Sequence, residues 1–173
     1  LRSYIAVVPQ EGYLFTETLS ENIKYGNPKA SMGKVQESAD EARMTEDIKG
    51  FPDGLKTLVG ERGITLSGGQ RQRTALSRAL LVDSKIIVLD DALASVDNKT
   101  ASAILQTIKN QYSKTVLMIS HQLSAAAACD RILVMNDGKI VQEGTHQFLI
   151  KTDGLYKSLW EREKAKEKLQ SDD

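Results

Sequence analysis

The chain is poor in the residues that hold many small or secreted proteins together. Its 173 residues include one cysteine, Cys129, and two histidines, so an internal disulfide and a Cys/His metal cage are both excluded. Basic and acidic residues number 23 each, and this balance gives no indication of nucleic acid as a partner. These features are typical of a globular protein from a reducing compartment.

Long apolar runs are absent as well. No stretch is long enough to span a bilayer, and residues 1–20 lack the charged start and apolar run of a signal peptide. We therefore expect this segment itself to be soluble, and any role at a membrane would need a partner. With 40% hydrophobic residues, the chain can still bury a sizeable core as one domain.

Three short apolar runs predict strands that are buried on both faces, as in a parallel sheet. These runs are Ile5–Val8, Ile86–Leu89 and Thr115–Ile119, and the polar residues that follow them are Gln10, Asp90 with Asp91, and Ser120 with His121. Because the carboxyl ends of parallel strands meet at one edge, we expect these polar residues to form one site. Two carboxylates after a buried strand are costly unless they bind a cation or perform acid–base chemistry. The alternative for these two carboxylates is the start of a solvated loop.

Helical patterns occupy the other segments. Residues 18–82 predict a small helical subdomain with a Thr18-x-x-Glu21 capping box, an apolar repeat at Val35, Ala39 and Ala42, and a short helix near Thr45–Lys49. The rest of the chain predicts a helix capped by Asp97 or Asn98, an alanine-rich helix at Ser124–Cys129, a hairpin of Ile132–Met135 and Lys139–Gln142 around Asp137-Gly138, and helices at Thr145–Ile150 and from Leu155. We expect the charged residues 161–173 to fray.

The segment Leu66-Ser67-Gly68-Gly69-Gln70 has the chemistry of an anion-binding turn. Adjacent glycines let the backbone approach a ligand closely, and Ser67 can cap a helix whose positive end favours an anion. That helix, predicted over Ser67–Leu81, is amphipathic. By itself the turn is weak evidence, because an ordinary capped helix explains it equally well.

Together, these residues resemble the nucleotide-binding domain of ABC transporters. The similar elements are Gln10, Leu66–Gln70, the strand ending in Asp90 and then His121, in the family's order and approximate spacing, and Thr57–Gly63 resembles the exporter branch. The resemblance covers Leu1 to about Trp160, which we take as one domain. It implies an α/β fold: a partial P-loop NTPase-type parallel sheet flanked by helices, an inserted helical signature subdomain, and a C-terminal β-hairpin plus helices.

The resemblance implies ATP and Mg²⁺ as cofactors. Gln10 would sense Mg²⁺ and the attacking water, Asp90 would act on Mg²⁺, and His121 would donate to the γ-phosphate. The signature residues Ser67, Gly68, Gly69 and Gln70 would contact an ATP held mainly by an opposing subunit, and Ser95, Val96 and Asp97 match the D-loop at the dimer interface. The implied partners are a second nucleotide-binding domain and the coupling helices of a transmembrane domain, at the cytoplasmic face of the cell membrane.

Tyr13, Leu14 and Phe15 allow two interpretations. Composition favours a small satellite cluster over an exposed apolar patch for a partner. The resemblance reverses this preference, because it places Tyr13 and Phe15 in the groove that receives a coupling helix. We therefore expect a transmembrane-domain contact at these two residues.

The chain departs from the family's pattern in two places. No Gly-x-x-x-x-Gly-Lys-Ser/Thr motif occurs in it, so the phosphate cradle of a P-loop is missing. We therefore expect the chain to be the C-terminal two-thirds of such a domain, to expose apolar sheet surface, to bind ATP poorly alone and to associate.

The second departure is Asp91, which stands where the family usually has the glutamate that acts as general base. Aspartate is one methylene shorter, and about 1 Å of lost reach can cost on the order of a hundredfold in rate. With Leu66–Gln70 intact, this resembles one half of a heterodimeric exporter. Two alternatives stay open: an ABC-type ATPase without a membrane partner, such as a DNA-repair or translation factor, and a non-catalytic module that offers only its signature.

Overall fold

The computed structural model of the chain describes residues 4–60, 65–111 and 114–171. These residues divide into two compact units, one ending at His121 and the other beginning at Gln122. The division falls at a different place from the boundary after residue 160 that the sequence suggested.

The first unit contains a parallel sheet of three strands in the order β1-β2-β3. The strands are β1 (Ile5–Val8), β2 (Ile86–Asp90) and β3 (Thr115–Ile119), as the apolar runs predict. Val7 pairs in register with Val88, and Val88 with Leu117. Because all three strands run in the same direction, their carboxyl ends share one edge of the sheet.

The expectation that these strands are buried on both faces is wrong. Ala6, Ile87 and Leu89 lie on a buried face, whereas Val7 is 58% exposed and Leu117 is 53% exposed on the opposite face. The alternation of strand residues explains the pattern, because only one face of the described sheet is covered. The expectation of exposed apolar sheet surface is met at these positions.

Helices account for most of the remaining first unit. They are α1 (Leu19–Lys24), α2 (Met32–Glu41), α3 (Thr45–Gly50), a 3-10 turn (Gly54–Lys56), α4 (Gly68–Leu80) and α5 (Asn98–Gln111). On α5 a buried apolar stripe is formed by Ala101, Ile104, Leu105 and Ile108, and the predicted amphipathic helix α4 buries Leu76 fully. Residues 57–60 of the exporter-like segment are described, and residues 61–63 lie outside the described part of the chain.

Side-chain caps begin several of these helices. Thr18 Oγ1 accepts from the Glu21 amide at 3.2 Å, and Ser31 Oγ accepts from the Lys34 amide at 3.4 Å. The predicted capping box at Thr18 is only half present, because the Glu21 carboxylate pairs with Lys24 at 3.7 Å. Each cap satisfies an amide that the first helical turn leaves without a partner.

The second unit combines an antiparallel hairpin with three helices. These elements are α6 (Leu123–Ala126), β4 (Ile132–Asn136), β5 (Lys139–Gly144), α7 (His146–Leu149) and α8 (Leu155–Ser171). The hairpin turn has positive φ at Asp137 (48°) and Gly138 (73°), as a two-residue turn of the primed type requires. The helix predicted at Ser124–Cys129 is shorter, since α6 ends at Ala126. Residues 161–171 belong to α8, and fraying of this end stays a prediction.

Candidate functional site

The polar residues that follow the three strands lie at one edge of the sheet. Gln10 follows β1, Asp90 is the last residue of β2, and His121 stands two residues beyond β3. The Gln10 side-chain amide donates to Asp91 Oδ2 at 3.4 Å, and the Asp91 amide donates to the Ile119 carbonyl at 2.8 Å. The predicted grouping of Gln10 with the paired aspartates is therefore present in the structure.

The two aspartates occupy different environments. Asp90 and His121 are exposed, and Asp91 is half-buried. Asp91 has a φ of 47°, a left-handed conformation that is uncommon for residues other than glycine and that aspartate tolerates better than most. Asp90 is exposed to water, so the expectation that both carboxylates are costly after a buried strand is wrong for Asp90.

Oxygen donors dominate this edge. The Asp90 carboxylate and the Gln10 side-chain amide offer oxygen atoms, which are the ligands that Mg²⁺ prefers. Among residues 4–60, 65–111 and 114–171, no cluster of three or more His, Cys, Asp or Glu side chains could hold a metal ion by itself. This donor set fits Mg²⁺, which protein sites usually bind through one or two carboxylates together with substrate phosphates.

The glycine-rich turn forms a complete capping box at the start of α4. Ser67 Oγ accepts from the Gln70 amide at 3.2 Å, and Gln70 Oε1 accepts from the Ser67 amide at 2.8 Å. No described residue accepts a hydrogen bond from the amides of Gly68 and Gly69. Two backbone donors therefore remain available at the positive end of a helix of 13 residues.

Helix α3 supports this turn from one side. Asp47 Oδ1 accepts from Gln70 Nε2 at 2.9 Å, and Asp47 Oδ2 pairs with Arg73 Nη1 at 2.9 Å. Arg73 also donates to the carbonyls of Arg43, at 2.6 Å, and Gly69, at 3.3 Å. Sequence reasoning missed Asp47, because nothing local to α3 indicates a partner 23 residues away.

The predicted D-loop packs directly against the glycines. A Cβ atom added at Gly69 would lie 2.8 Å from the Ser95 carbonyl oxygen, and one added at Gly68 would lie 3.2 Å from Ser95 Oγ. Real Cβ contacts of 2.8 Å with backbone are essentially never seen. Gly69 is therefore required by the approach of this loop, apart from any ligand, whereas the contact at Gly68 is with a serine side chain and is tight without excluding a Cβ.

Asp97 serves as the cap of α5, as one of the two predicted alternatives had it. Its Oδ1 accepts from the Thr100 amide at 2.9 Å, and this backbone hydrogen bond holds the pKa of Asp97 below its usual value. Val96, between Ser95 and Asp97, is buried. The predicted loop thus ends in an anchored helix start.

One further polar residue joins these segments. The Gln72 side chain donates to the Gln10 carbonyl at 3.3 Å and accepts from the Ser95 amide at 2.9 Å. Sequence reasoning missed Gln72, although a signal existed. It shares the buried stripe of α4 with Ala75, Leu76 and Ala79, and a polar residue on such a stripe needs partners.

The aromatic residues near Gln10 form a cluster around an arginine. Tyr13 and Phe15 rings lie 5.2 Å apart, and Phe15 and Tyr25 rings lie 4.8 Å apart. The Arg78 guanidinium lies 5.7 Å from the Phe15 ring and 5.5 Å from the Tyr25 ring, and burial lowers the pKa of Arg78. Tyr13 and Tyr25 are exposed, whereas Leu14 is buried, so an aromatic surface and a buried anchor are both present.

Arg78 and Asn22 hold the backbone of this aromatic loop. Arg78 donates to the Tyr13 carbonyl at 2.9 Å and to the Asn22 carbonyl at 2.8 Å. Asn22 Oδ1 accepts from the Phe15 amide at 2.8 Å, and Asn22 Nδ2 donates to the Phe15 carbonyl at 3.0 Å. The loop is therefore fixed to α1 and to the end of α4, and neither residue was singled out from the sequence.

Comparison with known proteins identifies the family. A family model for ABC transporters matches residues 1–94, which is more than half of the chain. The chain belongs to the ABC transporter family. The parallel sheet with its flanking helices matches the fold of an ABC ATPase domain, and the predicted α/β fold class is confirmed.

Individual relatives point to the exporter branch. The chain is 44% identical over 164 residues to the probable multidrug resistance ABC transporter ATP-binding/permease protein YheI of Bacillus subtilis, covering 94% of this chain and 28% of that protein. It is 43% identical to the ATP-dependent lipid A-core flippase of Photobacterium profundum, covering 92% of this chain and 28% of that protein. The chain thus spans less than a third of the length of these relatives.

A solved structure of a bacterial Atm1-family ABC exporter with ATP bound is similar as well. It superposes with a TM-score of 0.89 at 38% identity, covering 94% of this chain and 29% of that chain. The resemblance to the nucleotide-binding domain of an exporter-type ABC transporter is thereby confirmed. The roles of individual residues, the missing P-loop part and the heterodimer stay predictions.

Proposed function

We propose that this chain is part of an ATP-hydrolysing domain that powers export across a membrane. In this proposal the signature residues Ser67–Gln70 contact the γ-phosphate of an ATP held mainly by a partner nucleotide-binding domain. The observation that carries the proposal is the start of α4, where the amides of Gly68 and Gly69 lack acceptors among the described residues. Free amides at a helix N-terminus bind phosphate through hydrogen bonds and the helix dipole.

The polar edge of the sheet supplies the remaining chemistry. Asp90 would hold Mg²⁺ with Gln10, normally through water, and the ion would neutralise charge on the phosphates. His121 would donate to the γ-phosphate. Asp91 would accept a proton from the attacking water, and its hydrogen bond to Gln10 would orient the carboxylate.

The identity of Asp91 favours an asymmetric transporter. A carboxylate on the shorter aspartate side chain reaches about 1 Å less far than glutamate, which can lower the rate on the order of a hundredfold. The complete capping box at Ser67, by contrast, leaves the signature turn well formed. We therefore propose that this chain holds a slowly hydrolysing site of its own and completes the active site of a different partner chain, as in a heterodimeric exporter.

The aromatic loop is the proposed contact with the transmembrane domain. Tyr13 and Phe15 would receive a coupling helix at the cytoplasmic face of the membrane, and Tyr25 extends the same surface. No helix in the described part of the chain combines the length and apolar character that crossing a membrane requires. The proposal therefore assigns membrane passage and cargo selection to another segment or chain.

Steady-state ATPase activity of the assembled transporter tests this proposal. Ser67→Ala should lower the activity by about tenfold or more, because it alters the turn that faces the partner's ATP. Ser31→Ala is the matched control, since Ser31 caps α2 in the same way. Both variants lose a cap worth about 0.5–2 kcal/mol, so only a loss specific to Ser67 supports a role at the nucleotide.

Asp91→Glu tests the asymmetric part of the proposal. Restoring the longer side chain should raise hydrolysis at the site on this chain. Unchanged activity in both Asp91→Glu and Ser67→Ala would contradict the asymmetric model.

A second candidate function is a non-catalytic module that offers only its signature turn. The aspartate at position 91 is the observation that favours it. In that case Asp91→Glu would leave activity unchanged, while Ser67→Ala would still abolish hydrolysis by the partner. Measurements with and without the partner half distinguish the two candidates.

A further inference from the structure

Gln72 occupies a place in α4 where an apolar residue is expected. Its side chain is 6% exposed, and it continues the stripe formed by Ala75, Leu76 and Ala79. Burying an amide without hydrogen bonds costs free energy, so a glutamine at such a position needs specific partners.

Both partners of Gln72 are backbone groups of loops at the polar edge of the sheet. The Ser95 amide donates to Gln72 Oε1 at 2.9 Å, and Gln72 Nε2 donates to the Gln10 carbonyl at 3.3 Å. Gln10 follows β1, and Ser95 lies in the loop after β2. One side chain therefore connects the loops that leave two neighbouring strands.

The three segments joined by Gln72 are also closely packed. A Cβ at Gly69 would lie 2.8 Å from the Ser95 carbonyl oxygen, and a Cβ at Gly12 would lie 2.8 Å from the Ala75 Cβ. The loop after β2 thus rests on the signature turn, and the loop after β1 rests on the next turns of α4. Packing sets how closely these segments approach, and the two hydrogen bonds of Gln72 set their register along the helix.

We propose that Gln72 is a positioning residue for ATP hydrolysis, an inference that rests on the function proposed above. By holding the Ser95 amide and the Gln10 carbonyl, Gln72 fixes both loops relative to Ser67–Gln70. The Gln10 side chain in turn bonds Asp91. A change at Gln72 therefore reaches the base and the signature together, without Gln72 touching ATP.

Two substitutions separate the hydrogen bonds of Gln72. Gln72→Leu keeps most of the volume and removes both bonds, leaving the Ser95 amide and the Gln10 carbonyl without this partner. Gln72→Glu keeps an acceptor for Ser95 and loses the donor for Gln10. Gln106→Leu is the control, because Gln106 is exposed on α5.

The first measurement is steady-state ATPase activity of the assembled transporter. Gln72→Leu should lower kcat about tenfold to a hundredfold, as expected when reacting groups shift by up to about 1 Å. KM for ATP should stay within about threefold, because Gln72 itself does not touch ATP. Gln72→Glu should lower kcat less, and Gln106→Leu should match the wild type.

The second measurement is hydrogen exchange at the Ser95 amide in the same protein. Exchange should quicken about tenfold in Gln72→Leu, corresponding to the loss of one hydrogen bond, and should stay near the wild-type rate in Gln72→Glu. If Gln72→Leu does not assemble, Gln72→Glu still tests the inference. The expected result is then a lower kcat together with an unchanged exchange rate at the Ser95 amide.

Distinct results overturn the inference and the proposed function. The inference would be overturned by a wild-type kcat in both Gln72 variants, or by equal losses of kcat in Gln72→Leu and Gln106→Leu. It would also be overturned if Gln72→Leu had a lower kcat but an unaltered exchange rate at the Ser95 amide. Absence of ATPase activity in the wild-type transporter would instead overturn the proposed function.

Discussion

Replacing Asp47 by asparagine tests whether α3 holds the signature turn in place. The Asp47 carboxylate pairs with Arg73 at 2.9 Å, and the two side chains are only 19% and 16% exposed. Removing one partner of a buried ion pair typically costs about 3–5 kcal/mol, because the other charge stays desolvated. Asp47→Asn should therefore destabilise the fold well beyond an ordinary surface change.

The expected loss of stability in Asp47→Asn is smaller than about 3–5 kcal/mol, the range for a fully buried ion pair. Arg73 keeps its hydrogen bonds to the carbonyls of Arg43 and Gly69, and the pair is not completely buried. Asparagine also retains an oxygen that can accept from Gln70, which Asp47 bonds at 2.9 Å. A charge-assisted hydrogen bond contributes about 1.5–3 kcal/mol, so we expect a loss of about 2 kcal/mol.

Glu46→Gln provides the matched control. Glu46 is the neighbouring acidic residue in the first turn of α3, so both changes remove the same helix-dipole contribution. Its pair with Lys49 lies at 2.7 Å, with side chains 84% and 66% exposed, and exposed pairs contribute about 0–1 kcal/mol.

Urea unfolding followed by circular dichroism measures both variants. The midpoint should fall clearly for Asp47→Asn and little for Glu46→Gln, at an unchanged m value. In thermal unfolding a loss of about 2 kcal/mol corresponds to roughly 4–8 °C. Equal midpoints for the two variants would refute the reasoning, because they would show that burial of the Arg73 pair has no energetic effect.

Two further predictions concern packing and alkaline pH. Gly69→Ala places a methyl group 2.8 Å from the Ser95 carbonyl oxygen and should lower the free energy of unfolding in urea by about 1–3 kcal/mol. Gly50→Ala, where the added carbon meets nothing within 4 Å, should change it by less than about 1 kcal/mol. Similar values for both variants would contradict the packing argument. Burial raises the pKa of Tyr156 from 10.0 to about 12, so its contribution to stability is present below pH 10 and is lost as the pH rises through about 12. Phenolate absorbance should show a late-titrating tyrosine that Tyr156→Phe removes, and titration of all tyrosines near pH 10 would exclude it.

Local elements of the fold could be predicted because their determinants are local. The apolar run Ile86–Leu89 predicts a strand, and Ser67 predicts the start of α4, since each depends on neighbouring residues only. Which face of a strand is covered depends on elements far away in sequence. The apolar run Thr115–Ile119 indicates burial of Leu117, but Leu117 is exposed in the structure because no described element covers its face of the sheet.

The same distinction holds for the candidate site. The edge with Gln10 and Asp91 follows from parallel strand order, which the apolar runs indicate. The contacts of Asp47 with Gln70 and of Gln72 with Ser95 each join residues 23 positions apart, and no local pattern encodes them. Only the unexpected polarity of Gln72 within an apolar stripe gives a hint, and it identifies a residue that needs partners without naming them.

Helix α4 unites the separate parts of this site. Ser67 caps its first turn, its second turn carries Gln72, and its last turn carries Arg78, which donates to the carbonyl of Tyr13. Ser67 and Arg78 are eleven residues apart, so the helix spans about 16 Å between the signature turn and the aromatic loop. A regular helix is stiff over this length, so a displacement at the Tyr13 loop would move α4 as a rigid body. Gln72 lies between the two ends, and its bonds to the Gln10 carbonyl and the Ser95 amide would transmit such a displacement to the loops of the polar edge.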